Sequence, residues 1–214
     1  MLDGPLSRAP SATAALLVPV KAFSHAKQRL APALDPAERE ALARAMAATV
    51  LDAAGDLRPA VVCDDELVRA WAEERGAEAI WTPELGLNGA VEAGVAHLAR
   101  RGVDRVVVAH ADLPLAADLA WVADGDGVTL VPDRHGDGTN VACVPATAGF
   151  RFAYGAASFT AHRAEAARLG LIVRLMPDPA LGWDVDVAED LQVPLALHPP
   201  SYLSALRVAG APCP

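Results

Sequence analysis

The sequence predicts an α/β fold in three layers, with helices on both faces of a mostly parallel, mixed sheet. Short apolar runs alternate along the chain with longer segments rich in Ala, Leu, Glu and Arg. Glycines stop the helical segments at Gly55, Gly76, Gly102 and Gly170. Strands that alternate with helices need crossover connections, and crossovers make parallel sheets. With 214 residues, 53% of them hydrophobic and 21% charged, the chain can bury a substantial core and remain soluble. It shows no internal repeat and no low-complexity linker. One domain over 1–214 is expected, with its core at about 14–197 and loose tails at both ends.

The elements follow in order. Ala15 to Val20 is apolar throughout and reads as a buried strand. Asp35-Pro36-Ala37-Glu38 starts a helix, with Asp as cap, Pro at the first helical position and Glu three residues after the cap. That helix runs to about Ala54. Pro59 to Cys63 is a second strand and Glu66 to Arg75 a second helix. Ala79 to Trp81 is a short strand, and Gly89 to Arg101 a helix. Arg105 to Ala109, built on valines, is the strongest strand and should be central. Val128 to Pro132 and Val141 to Val144 are strands, Ser158 to Leu169 a helix, Leu171 to Leu175 a strand, and Val187 to Leu197 a last helix.

The totals exclude several classes of partner. A net charge of -9 argues against nucleic acid or an anionic membrane. No apolar run reaches the roughly 18 residues of a membrane span. Three widely spaced cysteines, Cys63, Cys143 and Cys213, form neither a disulfide framework nor a zinc motif. Cys63 and Cys143 lie in apolar runs and read as buried thiols, which suits a reducing cytoplasm.

Against this acidic background, residues 18–31 read V-P-V-K-A-F-S-H-A-K-Q-R-L-A. They carry Lys21, His25, Lys27 and Arg29 and no acid. In open sheets ligands bind beyond the carboxyl ends of strands, so this loop is placed to meet an anion. V-V-V-A-H-A-D-L-P puts Asp112 after the central strand, either as a ligand for a hard cation or as the cap of a short helix from Pro114. In W-D-V-D-V-A-E-D-L, Asp184 and Asp186 alternate and would point the same way in an extended segment. Asp186 also fits a capping box with Glu189. Asp112 and Asp184 together supply the one or two carboxylates that Mg²⁺ takes while its other positions go to water and phosphate. Gly136, Gly138 and Thr139 form a turn entering a strand, and such glycines allow close approach to an anion. Ser158, at a helix start, is either a cap or part of a phosphate site. Asn88 is either a helix cap or a reader of a base edge. The histidines His25, His110, His135 and His162 match no zinc spacing. No G-x-x-x-x-G-K-[ST] occurs, so a triphosphate would be held without a Walker loop.

The order V-P-V-K…A-K-Q-R-L-A, L-N-G-A, A-D-L-P, D-R-H-G-D-G-T-N, Y-G-A-A-S…H-R and W-D-V-D-V-A-E-D-L resembles the CofC/FbiD family over roughly residues 14 to 195. These are the 2-phospholactate or phosphoenolpyruvate guanylyltransferases of coenzyme F420 biosynthesis. The resemblance implies a GT-A-like nucleotidyltransferase fold. It implies GTP held by Lys21, Lys27, Arg29 and Asn88, and Mg²⁺ on Asp112 and Asp184 with Asp186 nearby. It implies catalytic roles for Lys21, Asp112 and Asp184, and places the phosphorylated three-carbon acid at Thr139, Gly155 and Ser158. It also implies a labile product passed to a downstream transferase. Two departures bear on the acceptor: a short Thr82–Leu87 stretch, and Ala111 where phosphoenolpyruvate-using members carry Gly. Two other readings stand beside this one. One is a nucleotidyltransferase for 3-phosphoglycerate, a sugar phosphate or molybdopterin. The other is a non-catalytic nucleotide-binding protein.

Overall fold

The computed structural model describes residues 13–193 and Leu197. The expected tails, apart from residue 13, lie outside the described residues, as do 194–196. Among the described residues seven strands form one sheet: β1 (Ala14–Pro19), β2 (Arg58–Cys63), β3 (Glu78–Trp81), β4 (Arg105–Ala109), β5 (Val128–Pro132), β6 (Thr139–Pro145) and β7 (Val173–Leu175). Their order is β3-β2-β1-β4-β6-β5-β7. Only β6 runs antiparallel to its neighbours β4 and β5. Every other pairing is parallel.

Among the described residues four α-helices cover the sheet: α1 (Pro36–Asp52), α2 (Glu66–Glu74), α3 (Gly86–Arg100) and α4 (Ser158–Arg168). Alternate side chains of a strand point to opposite faces, and β1 shows the consequence. Leu16 and Val18 pack with α1 and α2 on one face, while Ala15 and Leu17 pack with α3 and α4 on the other. Both faces are apolar, which is why β1 and β4 read as unbroken hydrophobic runs. The start of α1 forms as its sequence requires. Asp35 Oδ1 accepts from the Glu38 N–H (2.9 Å), and Glu38 Oε2 accepts from the Asp35 N–H (2.7 Å).

The strand order turns over at β1. The chain builds outward to β2 and β3, then returns to place β4 on the other side of β1. The loops leaving β1 and β4 therefore diverge and open a crevice at their carboxyl ends. Because β6 is reversed, its first residues lie at this same edge, with Val141 opposite Ala109. The His110 N–H donates to the Asn140 carbonyl (3.0 Å).

Several expectations are corrected. No helix starts at Pro114; the chain there is turns and extended backbone. Leu113, Leu115, Ala116 and Leu119 are all buried, a pattern that draws this segment across the core instead of coiling it. Among the described residues the expected last helix is one 3₁₀ turn, Ala188–Leu191, and its 194–196 part lies outside them. Val193 precedes a proline, and helical backbone is disfavoured there. Helix α3 begins at Gly86, so Asn88 lies in its first turn and does not cap it. Ala157, in the left-handed region at φ 57°, stands where Ser158 was expected to cap α4. Cys63 and Cys143 are buried free thiols, as expected. Among the described residues no helix is long and apolar enough to cross a membrane.

Gly94 sets how closely α3 approaches the sheet. A Cβ there would lie 2.6 Å from Val62 Cγ1 and 2.8 Å from Leu17 Cδ2. Gly94→Ala is expected to lower stability by about 1–3 kcal/mol through overpacking. It should be read as a lower urea midpoint with an unchanged m-value. An unmoved midpoint would show that α3 has room to shift.

Candidate active site

A cavity of about 400 Å³ lies in the β1/β4 crevice. Its wall is the loop from Val20 to Asp35, folded as two 3₁₀ turns, Phe23–His25 and Gln28–Leu30. Each turn has an apolar anchor. Phe23 meets the Trp71 ring edge-on (5.1 Å between centroids), with the Arg44 guanidinium over its other side (4.4 Å). Leu30 is fully buried with Leu34, Leu42, Met46 and Val185. Between the anchors Lys27 adopts left-handed backbone, φ 52° and ψ 41°. Its ammonium lies 2.6 Å from Asp112 Oδ2 and 3.1 Å from Asp186 Oδ1.

The other basic residues of the loop are differently placed. Arg29 is exposed, 3.9 Å from Asp186 Oδ2. Lys21 is exposed at the end of β1, with no acidic partner among the described residues. It lines both this cavity and a smaller cleft formed with Cys63, Asp64 and Thr82.

Asp112 is the floor of the cavity. Burial works to raise its carboxyl pKa, but the Lys27 ammonium and His110 outweigh burial and hold it below the usual range. Burial likewise works to lower Lys27, and the charges of Asp112 and Asp186 raise it above its ordinary value. Asp112 Oδ1 is buried without a hydrogen-bond partner. His110 Nδ1 is 4.0 Å from that oxygen.

Asp184 does not line this cavity, but its charge is coupled to that of Asp112. Its pKa is raised by burial and then by the Asp112 charge, against the Asn140 amide that donates to Oδ1 (3.3 Å). The Val185 N–H donates to the Asp112 carbonyl (3.2 Å), which joins the two acidic segments through their backbones. Asp186 does not share Asp184's environment. It faces Lys27 and Arg29, and Val185 between them is buried. Nor does Asp186 cap a helix with Glu189, as the sequence suggested. Asp190 takes that role, its buried Oδ2 accepting from the N–H groups of Asp186 (2.7 Å) and Val187 (2.9 Å).

Sequence reasoning missed three residues that position this acidic segment. Arg134 pairs with Asp190, donates to the Asp184 carbonyl (2.9 Å) and stacks on Trp183 (4.5 Å). Asn140 ties Asp184 to β6. Arg134 and Asn140 both stand inside the D-R-H-G-D-G-T-N motif, where attention fell on the glycines and Thr139. Asp190 lies inside the expected Val187–Leu197 helix, where the capping box was assigned to Glu189.

The remaining predicted residues form a second group that does not line the large cavity. Asn88 Oδ1 accepts from the Tyr154 N–H (2.8 Å). Thr139 and Ser158 are buried, and the Thr139 N–H donates to Ser158 Oγ (3.0 Å). Gly155, exposed at φ 129°, has open space where a side chain would be. His162 lies beneath them. Its Nε2 accepts from the Ala153 N–H (3.0 Å), so Nδ1 carries the proton and donates to Thr139 Oγ1 (3.0 Å).

The donor set fits one kind of cation. Among the described residues no three His, Cys, Asp or Glu side chains form a metal cage. Two acidic residues coupled by charge, one with a buried oxygen lacking a partner, suit a hard ion completed by water and phosphate oxygens.

Comparison with known proteins gives the family of the chain. Residues 14–204 match the family described as guanylyl transferase CofC like. The chain belongs to the CofC guanylyl transferase family. A phosphoenolpyruvate guanylyltransferase of Sphaerobacter thermophilus is 37% identical over 197 residues, covering 88% of this chain and 95% of the relative. A 2-phospho-L-lactate guanylyltransferase of Methanothermobacter thermautotrophicus is 35% identical over 211 residues, covering 92% of each. Among solved structures, a putative nucleotide-diphospho-sugar transferase from Desulfovibrio desulfuricans superposes with a TM-score of 0.68 at 17% identity. It covers 92% of this chain and 94% of that one. That likeness establishes the nucleotidyltransferase fold of this CofC-family chain.

The His162 network gives a pH prediction. Burial, with a smaller push from the charge of His110, moves the His162 pKa down to about 4 from 6.5. Between these values the unfolded chain binds a proton that the folded chain refuses, so stability falls as pH drops from about 6.5 toward 4. His162→Gln should remove this component. The wild-type loss between pH 8 and pH 5, from urea titrations, should exceed the variant's by about 2 kcal/mol. Equal losses would show that His162 protonates freely in the fold.

Proposed function

We propose that the chain transfers the guanylyl group of GTP to the phosphate of phosphoenolpyruvate or 2-phospho-L-lactate and releases pyrophosphate, as a step of coenzyme F420 biosynthesis. The observation that carries the reading is the partly buried, charge-coupled pair Asp112 and Asp184, with Asp112 lining the β1/β4 crevice beside a basic loop. The names of its relatives support the choice of nucleotide and acceptor.

An acceptor phosphate oxygen forms the new bond to the α-phosphorus of GTP, and the bond from that phosphorus to the bridging oxygen of pyrophosphate breaks. A phosphate monoester has a second pKa of about 6 and is anionic at neutral pH. No side chain has to remove a proton, and the obstacle is repulsion between two anions. Mg²⁺ held by Asp112 and Asp184, with Asp186 near, would supply charge neutralisation at the reacting phosphates. Lys21, exposed where the two clefts meet, reaches the triphosphate, and Arg29 adds charge at the mouth. Asn88 has its carbonyl oxygen engaged by Tyr154, so its amide N–H groups remain to meet the acceptor edge of guanine. Gly155 leaves backbone room for the acid, over a floor built by Thr139 and Ser158. The product is a phosphoanhydride joining GMP to the phosphate of the acid, an activated group suited to transfer by a downstream enzyme in the cytoplasm.

The test is pyrophosphate release with GTP and Mg²⁺, offering phosphoenolpyruvate, 2-phospho-L-lactate and 3-phosphoglycerate separately. Release with one of the first two is expected, and no release with either would overturn the reading. Asp112→Ala should lower the rate by at least about 10²-fold while the circular dichroism spectrum is retained. Full activity in that variant would remove the metal from the mechanism.

A further inference from the structure

Lys27 belongs by sequence to the basic loop and lines the cavity, yet its ammonium lies against the acids Asp112 and Asp186. Three features mark this as a built arrangement. The backbone at Lys27 is left-handed, a conformation that L-residues adopt at a cost. The turns on either side are fixed by Phe23 and Leu30, so the loop delivers this one residue inward. And Lys27 satisfies only Asp112 Oδ2, leaving Oδ1 buried and unpartnered.

We infer that Lys27 is an internal counter-cation that occupies the carboxylates until metal and nucleotide arrive together, and then moves to the triphosphate. This rests on the reading of Asp112 and Asp184 as metal ligands. An ammonium 2.6 Å from Asp112 Oδ2 and a divalent ion on the same carboxylate repel each other at close range. The four-carbon stem of lysine lets the charge swing away without moving the backbone, and incoming phosphates give it a new partner. The free protein then binds divalent metal weakly, and nucleotide raises that affinity by freeing the site. Coupling of this kind is reciprocal, so metal also tightens nucleotide binding.

The experiment measures Mn²⁺ binding by electron paramagnetic resonance on the nucleotide-free protein, comparing wild type, Lys27→Met, Arg29→Met and Asp112→Asn. The expected result is at least about tenfold tighter Mn²⁺ binding in Lys27→Met, a typical coupling magnitude. Arg29→Met, which removes an exposed charge from the same cluster, should change affinity much less. Melting temperature gives a second readout. Lys27→Met should melt below wild type in EDTA, since it leaves Asp112 unpaired, and gain more than wild type on Mn²⁺ addition. If Lys27→Met fails to fold, Lys27→Ala in Mn²⁺-containing buffer carries the same comparison. Binding in Lys27→Met no tighter than wild type, with Asp112→Asn weakened, overturns the counter-cation alone. Binding indifferent to Asp112→Asn overturns the metal reading and the counter-cation with it.

Discussion

The placement of β4 beside β1 is the constraint on which the functional edge depends. With β2 and β3 built outward on one side, the return to β4 leaves the ends of β1 and β4 as neighbours with diverging loops. That brings Lys27 and Asp112, 85 positions apart in the chain, to 2.6 Å. The reversed β6 then delivers Asn140 to the same edge, and Asn140 holds Asp184. Three distant segments meet because one strand is inserted and another is reversed.

Electrostatics decides how this edge survives burial. An isolated buried carboxylate would protonate, since leaving water costs several kcal/mol. Asp112 and Asp184 meet this cost in opposite ways. Asp112 has an ammonium on one oxygen, and its attraction outweighs burial, so the carboxylate stays charged. Asp184 has only an amide and a more distant guanidinium (3.7 Å), and burial with the Asp112 charge keeps its pKa raised. The pair is thus poorly compensated as a unit, which is the condition under which a further cation binds well. Arg134 and Asp190 stabilise the segment from behind, fixing backbone so that Asp184 and Asp186 face different partners.

The second group of residues follows a different rule. Thr139, Ser158 and His162 are buried and hydrogen-bonded to one another or to backbone, so they hold shape more than they offer free polar atoms. The Ala153 N–H fixes the His162 tautomer, and that choice aims its proton at Thr139. Tyr154 is held in turn by Asn88. Through these contacts the loop around Gly155 is tied to α3, β6 and α4 at once.

The central strands β1 and β4 were legible in the sequence because they had to be apolar on both faces, and the capping box at Asp35 because it is a purely local device. Lys21, Lys27, Arg29, Asp112 and Asp184 were legible as types, since a basic loop and acids after strands stand out against apolar runs. The segment after Asp112 was misread as helical because its burial is imposed by partners across the core, such as the Ala53 carbonyl that receives the Leu119 N–H. Asp190 was passed over for Glu189 because capping depends on where the turn begins, and Val187 rather than Asp186 begins it. Which acid Lys27 neutralises could not be read from spacing at all. Local sequence determines which residues are charged, apolar or able to cap. Pairing between segments brought together by strand order belongs to the tertiary structure, because the distances that govern Coulomb energy do not exist along the chain.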